Sequence, residues 1–371
     1  MKRPVALAFV AIAGALTAAS LALAVPIVAA VGIVALAARR KGHLGLLLFA
    51  ATTMAFDAIL FGFVIRQPPL SWLGPVPFSP SAAATGIAVA TRLSAAVAVN
   101  FALLDRAPAT VILDGLRLPR RATAFMAAVV LAAHGVGEDA RRVLAAQRLD
   151  GRRKLRPNGV ARLLPPLFAS GLRRAEIRKD ALRLAGMDTN ASFAPVIAVA
   201  AVAAAARLAF TVANISPTYA IVFLGGVLFG PRVGMWAGAL AMATTDVMLT
   251  GLLPASFVNV PAMALLGLLG GVLRGLDWTG PSRLDAWSAR LTAAAAGFCA
   301  TMLFSLASDA VTWLMLPEAR GAPGGLSALV VGGLLFNLIP AYANAVMFAA
   351  ATPATVRAWR SMSLPRAPVA A

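Results

Sequence analysis

Apolar stretches of bilayer-crossing length run along most of this chain, and one long basic segment interrupts them. Residues 105–188 carry 17 of the 33 Lys and Arg. A chain of 371 residues that is 60% hydrophobic cannot hide that much apolar surface in a single soluble core. The pattern predicts an all-α integral membrane protein: a polytopic helical bundle with about ten apolar spans and two long amphipathic helices at its cytoplasmic face.

Spans are expected near 5–21, 23–38, 44–65, 81–104, 194–213, 217–230, 233–251, 256–273, 290–316 and 326–351. The first two read as a bent hairpin broken near Pro26. A signal peptide is disfavoured there, because the apolar run is too long and Arg39-Arg40-Lys41 follows it. One orientation puts every basic loop inside: Arg39-Arg40-Lys41, the 105–190 region, Arg232, Arg274 with Arg283, and a tail bearing Arg357, Arg360 and Arg366. The expected location is therefore the cell (plasma or inner) membrane, multi-pass, with both termini and the basic centre cytoplasmic.

The net charge of +19 does not point to nucleic acid, because the basic residues lie where the positive-inside rule puts them. Anionic membrane lipid and an acidic protein surface are the partners that fit. Helices are expected from Ala122 to Leu149 and from about Val160 to Leu184. The second sets Arg162, Arg173, Arg174, Arg178, Lys179 and Arg183 against an apolar face of Leu163, Leu164, Leu167, Phe168, Leu172 and Ile177. This pattern serves equally for lying on lipid or for docking a protein.

Five charges fall within apolar spans, where each is costly. Counted from assumed cytoplasmic span ends, Asp57 is about 13 residues deep and Arg92 about 12, so a structural ion pair is expected between them. Arg207, Asp246 and Asp309 lie in three later spans, each roughly 8–10 Å below the outer surface. Asn214, Ser216, Thr245, Asn259, Asn337 and Asn344 accompany them. The set describes either a polar binding pocket open to the outside or a buried ion-pair cluster; intramembrane ionisable groups favour the pocket. One Arg with two Asp suits a ligand of mixed polarity or with a cationic group. Ala200, Ala201, Ala204 and Ala205 form an Ala-x-x-x-Ala stripe suited to close helix contact, as do Gly225, Gly226 and Gly230, and Gly267, Gly270 and Gly271.

Several chemistries have no carrier here. None of the four lysines follows a glycine, so a phosphate-binding P-loop is absent. No His-Glu-x-x-His, Gly-x-Ser-x-Gly or carboxylate-rich metal motif occurs. Cys299 is the one cysteine, and His43 and His134 have no neighbours at metal-ligand spacing. No enzyme activity, bound cofactor or metal is expected of this chain.

Leu103-Leu104-Asp105-Arg106-Ala107-Pro108, LDGLRLP (Leu113 to Pro119), VLAAQRLDG (Val143 to Gly151) and LLPPLFASGLRRAEIRKDALRLAGM (Leu163 to Met187) together resemble the transmembrane T component of energy-coupling-factor (ECF) transporters. In that family two coupling helices, each ending in Ala-Arg-Gly, dock on a pair of ATPases. The matching positions here read Leu149-Asp150-Gly151 and Leu184-Ala185-Gly186: the glycines remain, the arginines are replaced, and Arg148 and Arg183 stand nearby. Phe193 to Thr352 resembles an ECF substrate-binding S component, through Asn214-Ile215-Ser216-Pro217, Leu224-Gly225-Gly226, Gly230-Pro231-Arg232-Val233-Gly234, Gly238 and Asp246.

The resemblance implies a T-like domain over 1–190 fused to an S-like six-helix domain over 191–371. It implies a micronutrient (vitamin-like) cargo, two ECF-type ATPase subunits as partners that use the ATP, coupling through Arg148, Gly151, Arg183 and Gly186, and an S–T interface at the 200–205 alanines. The other readings are an ATPase-independent carrier and a membrane scaffold or regulator. A lipid-modifying enzyme lacks a catalytic constellation.

Overall fold

The computed structural model describes residues 43–64, 71–73, 76–104, 119–149, 157–184, 193–209, 216–249, 256–278, 282–315 and 325–362, with Ile33 and Leu113. The fold is all-α. The helices are α1 (His43–Val64), α2 (Pro80–Leu104), α3 (Arg120–Leu149), α4 (Pro157–Leu184), α5 (Phe193–Ala209), α6 (Pro217–Phe229), α7 (Pro231–Leu249), α8 (Ser256–Val272), α9 (Arg283–Met315) and α10 (Gly325–Ser361). The expected apolar stretches from 44 onward coincide with α1, α2 and α5–α10. The helix α9 starts seven residues before the expected position 290, because Ser282 caps it: its hydroxyl accepts from the Asp285 N–H at 3.0 Å and donates to the Asp285 carboxylate at 2.6 Å. The expected spans 5–21 and 23–38 lie outside the described residues, Ile33 apart.

Two helical segments, Ser256–Gly275 and Asp285–Val311, are long and apolar enough to cross a membrane. In them small residues are buried together with Met263, Leu266 and Phe304. Gly267, Gly270, Ala293, Gly297 and Thr301 face inward, while Phe257 (83% exposed), Leu265, Leu291 and Leu303 (68%) face out. Helix α10 likewise buries Ala341 and Asn344 and exposes Val331 (72%) and Val346. A helix in water does the reverse.

The chain forms two compact units, each drawing on both sides of residue 190. The first comprises Met1–Leu118, Asp246–Asn259 and Met302–Ile339. Here α1 packs along α2, and between them strands β1 (Ser71–Leu73) and β2 (Val76–Phe78) pair antiparallel with Trp72 opposite Pro77. Sequence reading places only a loop at 66–80. Ser79 then starts α2 as its N-cap, accepting from the Ala82 N–H at 3.3 Å, with Pro80 at the first helical position.

This hairpin fixes the α1–α2 register. The Ser79 N–H donates to the Gly62 carbonyl at 2.8 Å, and a Cβ on Gly86 would strike the Asp57 carbonyl. Asp57 therefore stands opposite Gly86. Arg92 is six residues, about 9 Å, further along α2, and its side chain lies outside the described residues. The hairpin sets the alignment of the two helices, and the expected Asp57–Arg92 ion pair turns on a side chain outside the described residues.

The second unit comprises Pro119–Thr245, Val260–Thr301 and Pro340–Ala371. The amphipathic helices α3 and α4 pack on each other and both pack on α5, which also meets α6. Small residues allow this: Ala194, Ala198, Ala200, Ala201, Ala203 and Ala204 are essentially wholly buried, and Gly171 of α4 lies directly over Ala198. Helices α6, α7 and α8 approach backbone to backbone. A Cβ on Gly226 or Gly234 would strike the Gly267 carbonyl, and one on Gly238 the Met263 carbonyl. Phe168, Phe229 and Trp359 stack edge to face across α4, α6 and α10, at centroid separations of 5.4–6.3 Å.

Candidate functional site

In the second unit, Arg207 closes the last turn of α5 and reaches α7. Its Nη1 donates to the Thr245 Oγ1 at 2.5 Å, while Thr245 gives its own proton to the Ala241 carbonyl at 2.8 Å. That leaves the hydroxyl oxygen facing the guanidinium as an acceptor. Ser216 is spent on local structure. Its oxygen caps α6 by accepting from the Thr218 N–H at 3.3 Å, and its proton goes to the Thr218 Oγ1 at 2.8 Å. Thr218 in turn donates to the Ala203 carbonyl of α5 at 3.2 Å. Asn344 is fully buried on α10 and donates to the Thr301 Oγ1 of α9 at 3.0 Å.

In the first unit, Asp246 is 2% exposed on α7, and Asn259 is half-buried on α8. Asp309 on α9 accepts from the Asn337 Nδ2 of α10 at 2.9 Å. Ser305 and Trp313 stand one turn either side of Asp309; the Ser305 hydroxyl and the Trp313 indole nitrogen are buried and make no hydrogen bond. Sequence reading passed over Ser305 and Trp313, as it ranked intramembrane residues by charge. The four-residue spacing 305–309–313 was the available signal. Asn214 lies outside the described residues.

The expected coupling positions divide similarly. Arg183 is exposed in the last turn of α4 and Arg148 belongs to the last turn of α3. Gly151 and Gly186 lie outside the described residues. The S–T stripe is on α5: Ala200, Ala201 and Ala204 are buried and Ala205 half-buried, on the helix that packs against α3 and α4.

Asp139 ties α3 to α4. It accepts from the Ser170 hydroxyl at 2.5 Å and from the Arg174 Nη2 at 2.9 Å, and Arg142 stands 3.9 Å away. The Ser170 hydrogen bond first, then the Arg174 guanidinium, hold its carboxyl below the ordinary carboxylate range. The flat surface left by Gly135 receives the Arg174 guanidinium. Among the described residues no group of three or more His, Cys, Asp or Glu could hold a metal ion.

Residues 187–360 match the model of a family described as "Family of unknown function (DUF6580)". No curated protein and no solved structure matches the chain.

Proposed function

We propose that this protein is the membrane subunit of an ECF-type importer, in which residues 193–352 hold a small micronutrient and the basic helices α3 and α4 transmit the work of partner ATPases. One observation carries this reading: α5, the first helix of the cargo-holding part, packs through buried alanines against both basic helices. A push delivered to α3 and α4 reaches α5 without an intervening element. Arg207 at the far end of α5 is hydrogen-bonded to α7, so movement of α5 alters a polar group in the cargo region. The family match over 187–360 supports treating that part as a module of its own.

The multi-pass arrangement belongs to this proposal, with about ten spans in the cell membrane and the basic centre and both termini inside. The apolar side chains exposed on α8–α10 support it. Anionic lipid would meet the remaining basic surface.

The test is purification of the full chain from its native membrane, with uptake measured in cells. The expected result is two P-loop ATPases at stoichiometric amounts, lost with Arg148→Glu combined with Arg183→Glu. Uptake that continues after every such ATPase is deleted would replace this reading with the ATPase-independent carrier.

A further inference from the structure

Helix α9 presents Ser305, Asp309 and Trp313 at four-residue intervals. Each step of four residues turns the helix about 40° past a full circle and advances about 6 Å, so the three side chains rise above one another on one face. The Ser305 side chain is 2% exposed and its hydroxyl makes no hydrogen bond. The Trp313 Nε1 is buried and likewise makes none. Between them the Asp309 carboxylate accepts from the Asn337 amide, and no Lys, Arg or His stands within ion-pair distance of it among the described residues.

Buried polar groups in folded proteins are as a rule satisfied. An anionic carboxylate in apolar surroundings calls for a positive partner. Here a hydroxyl and an indole N–H without partners flank a carboxylate that has no counter-ion among the described residues. A bare metal ion would leave the indole N–H unsatisfied. An organic cation carrying acceptor oxygen meets all three groups: its positive nitrogen against Asp309, acceptor lone pairs for Trp313 and Ser305, and its alkyl surface on the indole face.

We propose that Ser305, Asp309 and Trp313, with Asn337 steadying the carboxylate, form a recognition face for a small organic cation. This deepens the importer reading by assigning the cargo's chemical class, and it rests on that reading for the word cargo.

Isothermal titration of the detergent-purified full chain with (2-hydroxyethyl)trimethylammonium, which joins a cationic nitrogen to an acceptor oxygen, and with 3,3-dimethylbutan-1-ol as the uncharged control, tests it. The expected result is saturable binding of the cation and none of the alcohol. Asp309→Asn weakens binding tenfold or more, Asp309→Glu keeps it within threefold, and Trp313→Phe weakens it at least threefold. Gel filtration verifies that each variant folds; if Asp309→Asn does not, Trp313→Phe and Ser305→Ala decide. Absence of saturable binding, equal affinity for the alcohol, or unchanged affinity in the variants that fold would overturn the assignment. A chain that co-purifies with ATPases but ignores the cation refutes this inference alone. One that binds the cation and has no ATPase partner refutes the importer alone.

Discussion

Arg174 of α4 crosses to α3 and donates to Asp139 at 2.9 Å, its guanidinium lying on the bare face of Gly135. Side chain and backbone gap are matched, so the two basic helices are fixed at one crossing point. Replacing the carboxylate by an amide leaves the Arg174 guanidinium without its anion and a single uncharged acceptor oxygen for it and the Ser170 hydroxyl to share.

Asp139→Asn is therefore expected to lower the stability of the full chain by about 1–2 kcal/mol, read as a fall in melting temperature in detergent at pH 7. The pH dependence has a definite sign. Asp139 has a lowered pKa in the folded state, so its contribution is fully present above the unfolded value of about 3.9 and is lost as pH falls through the folded value. The gap between wild type and Asp139→Asn should be constant above about pH 5 and shrink below about pH 4. A gap that widens in acid would contradict the assignment.

Two glycine substitutions should behave oppositely. Gly267→Ala puts a Cβ into the Gly234 carbonyl, and separating α7 from α8 is expected to cost about 3 kcal/mol or more. Gly137→Ala on α3 meets nothing within 4 Å and should stabilise by roughly 0.5–1 kcal/mol through helix propensity. Thermal unfolding of the two variants side by side checks both signs.

Phe168 is fully buried and makes edge contacts with Phe229 and Trp359. Phe168→Ala should cost about 3–5 kcal/mol, and Phe168→Leu clearly less. The same variants bear on coupling, since this ring joins α4 to α6 and α10. With Phe168→Leu, cargo binding is expected to persist while uptake falls.

Arg207→Ala should abolish cargo binding while membrane insertion is unchanged. Thr245→Val, which keeps shape but removes the acceptor for Arg207, should weaken binding about tenfold, in line with loss of one charge-assisted hydrogen bond. Equal affinity in both variants would remove Arg207 from the site. Binding to membrane-purified protein is the measurement.

Helix positions from residue 43 onward were legible because apolar runs of that length have few alternatives, and Gly230-Pro231 and Ser216-Pro217 mark their boundaries. The basic helices were legible from periodicity: Leu163, Leu164 and Phe168 are buried as the pattern required, while Ile177 is exposed. The β1–β2 hairpin was not legible, since three residues per strand give no alternation to read and Pro77 argues against a strand. The α1–α2 register was likewise not legible from span ends, because it is set by contacts at the turn such as Ser79 to Gly62. The uncharged polar side chains illustrate a further limit. Polarity marks Ser216 and Asn337 equally, yet one caps a helix and the other holds a carboxylate, and only geometry separates these roles.

Helix α6 ends at Gly230, with φ 99°, and α7 begins at the next residue. The elbow has no slack. An extra residue there would swing α7 by about 100° about its axis, carrying Gly234 and Gly238 away from the carbonyls of α8 and putting bulkier side chains in their place. Chain length at this bend is thus as strictly determined as residue identity, and a one-residue insertion should do more damage than most substitutions.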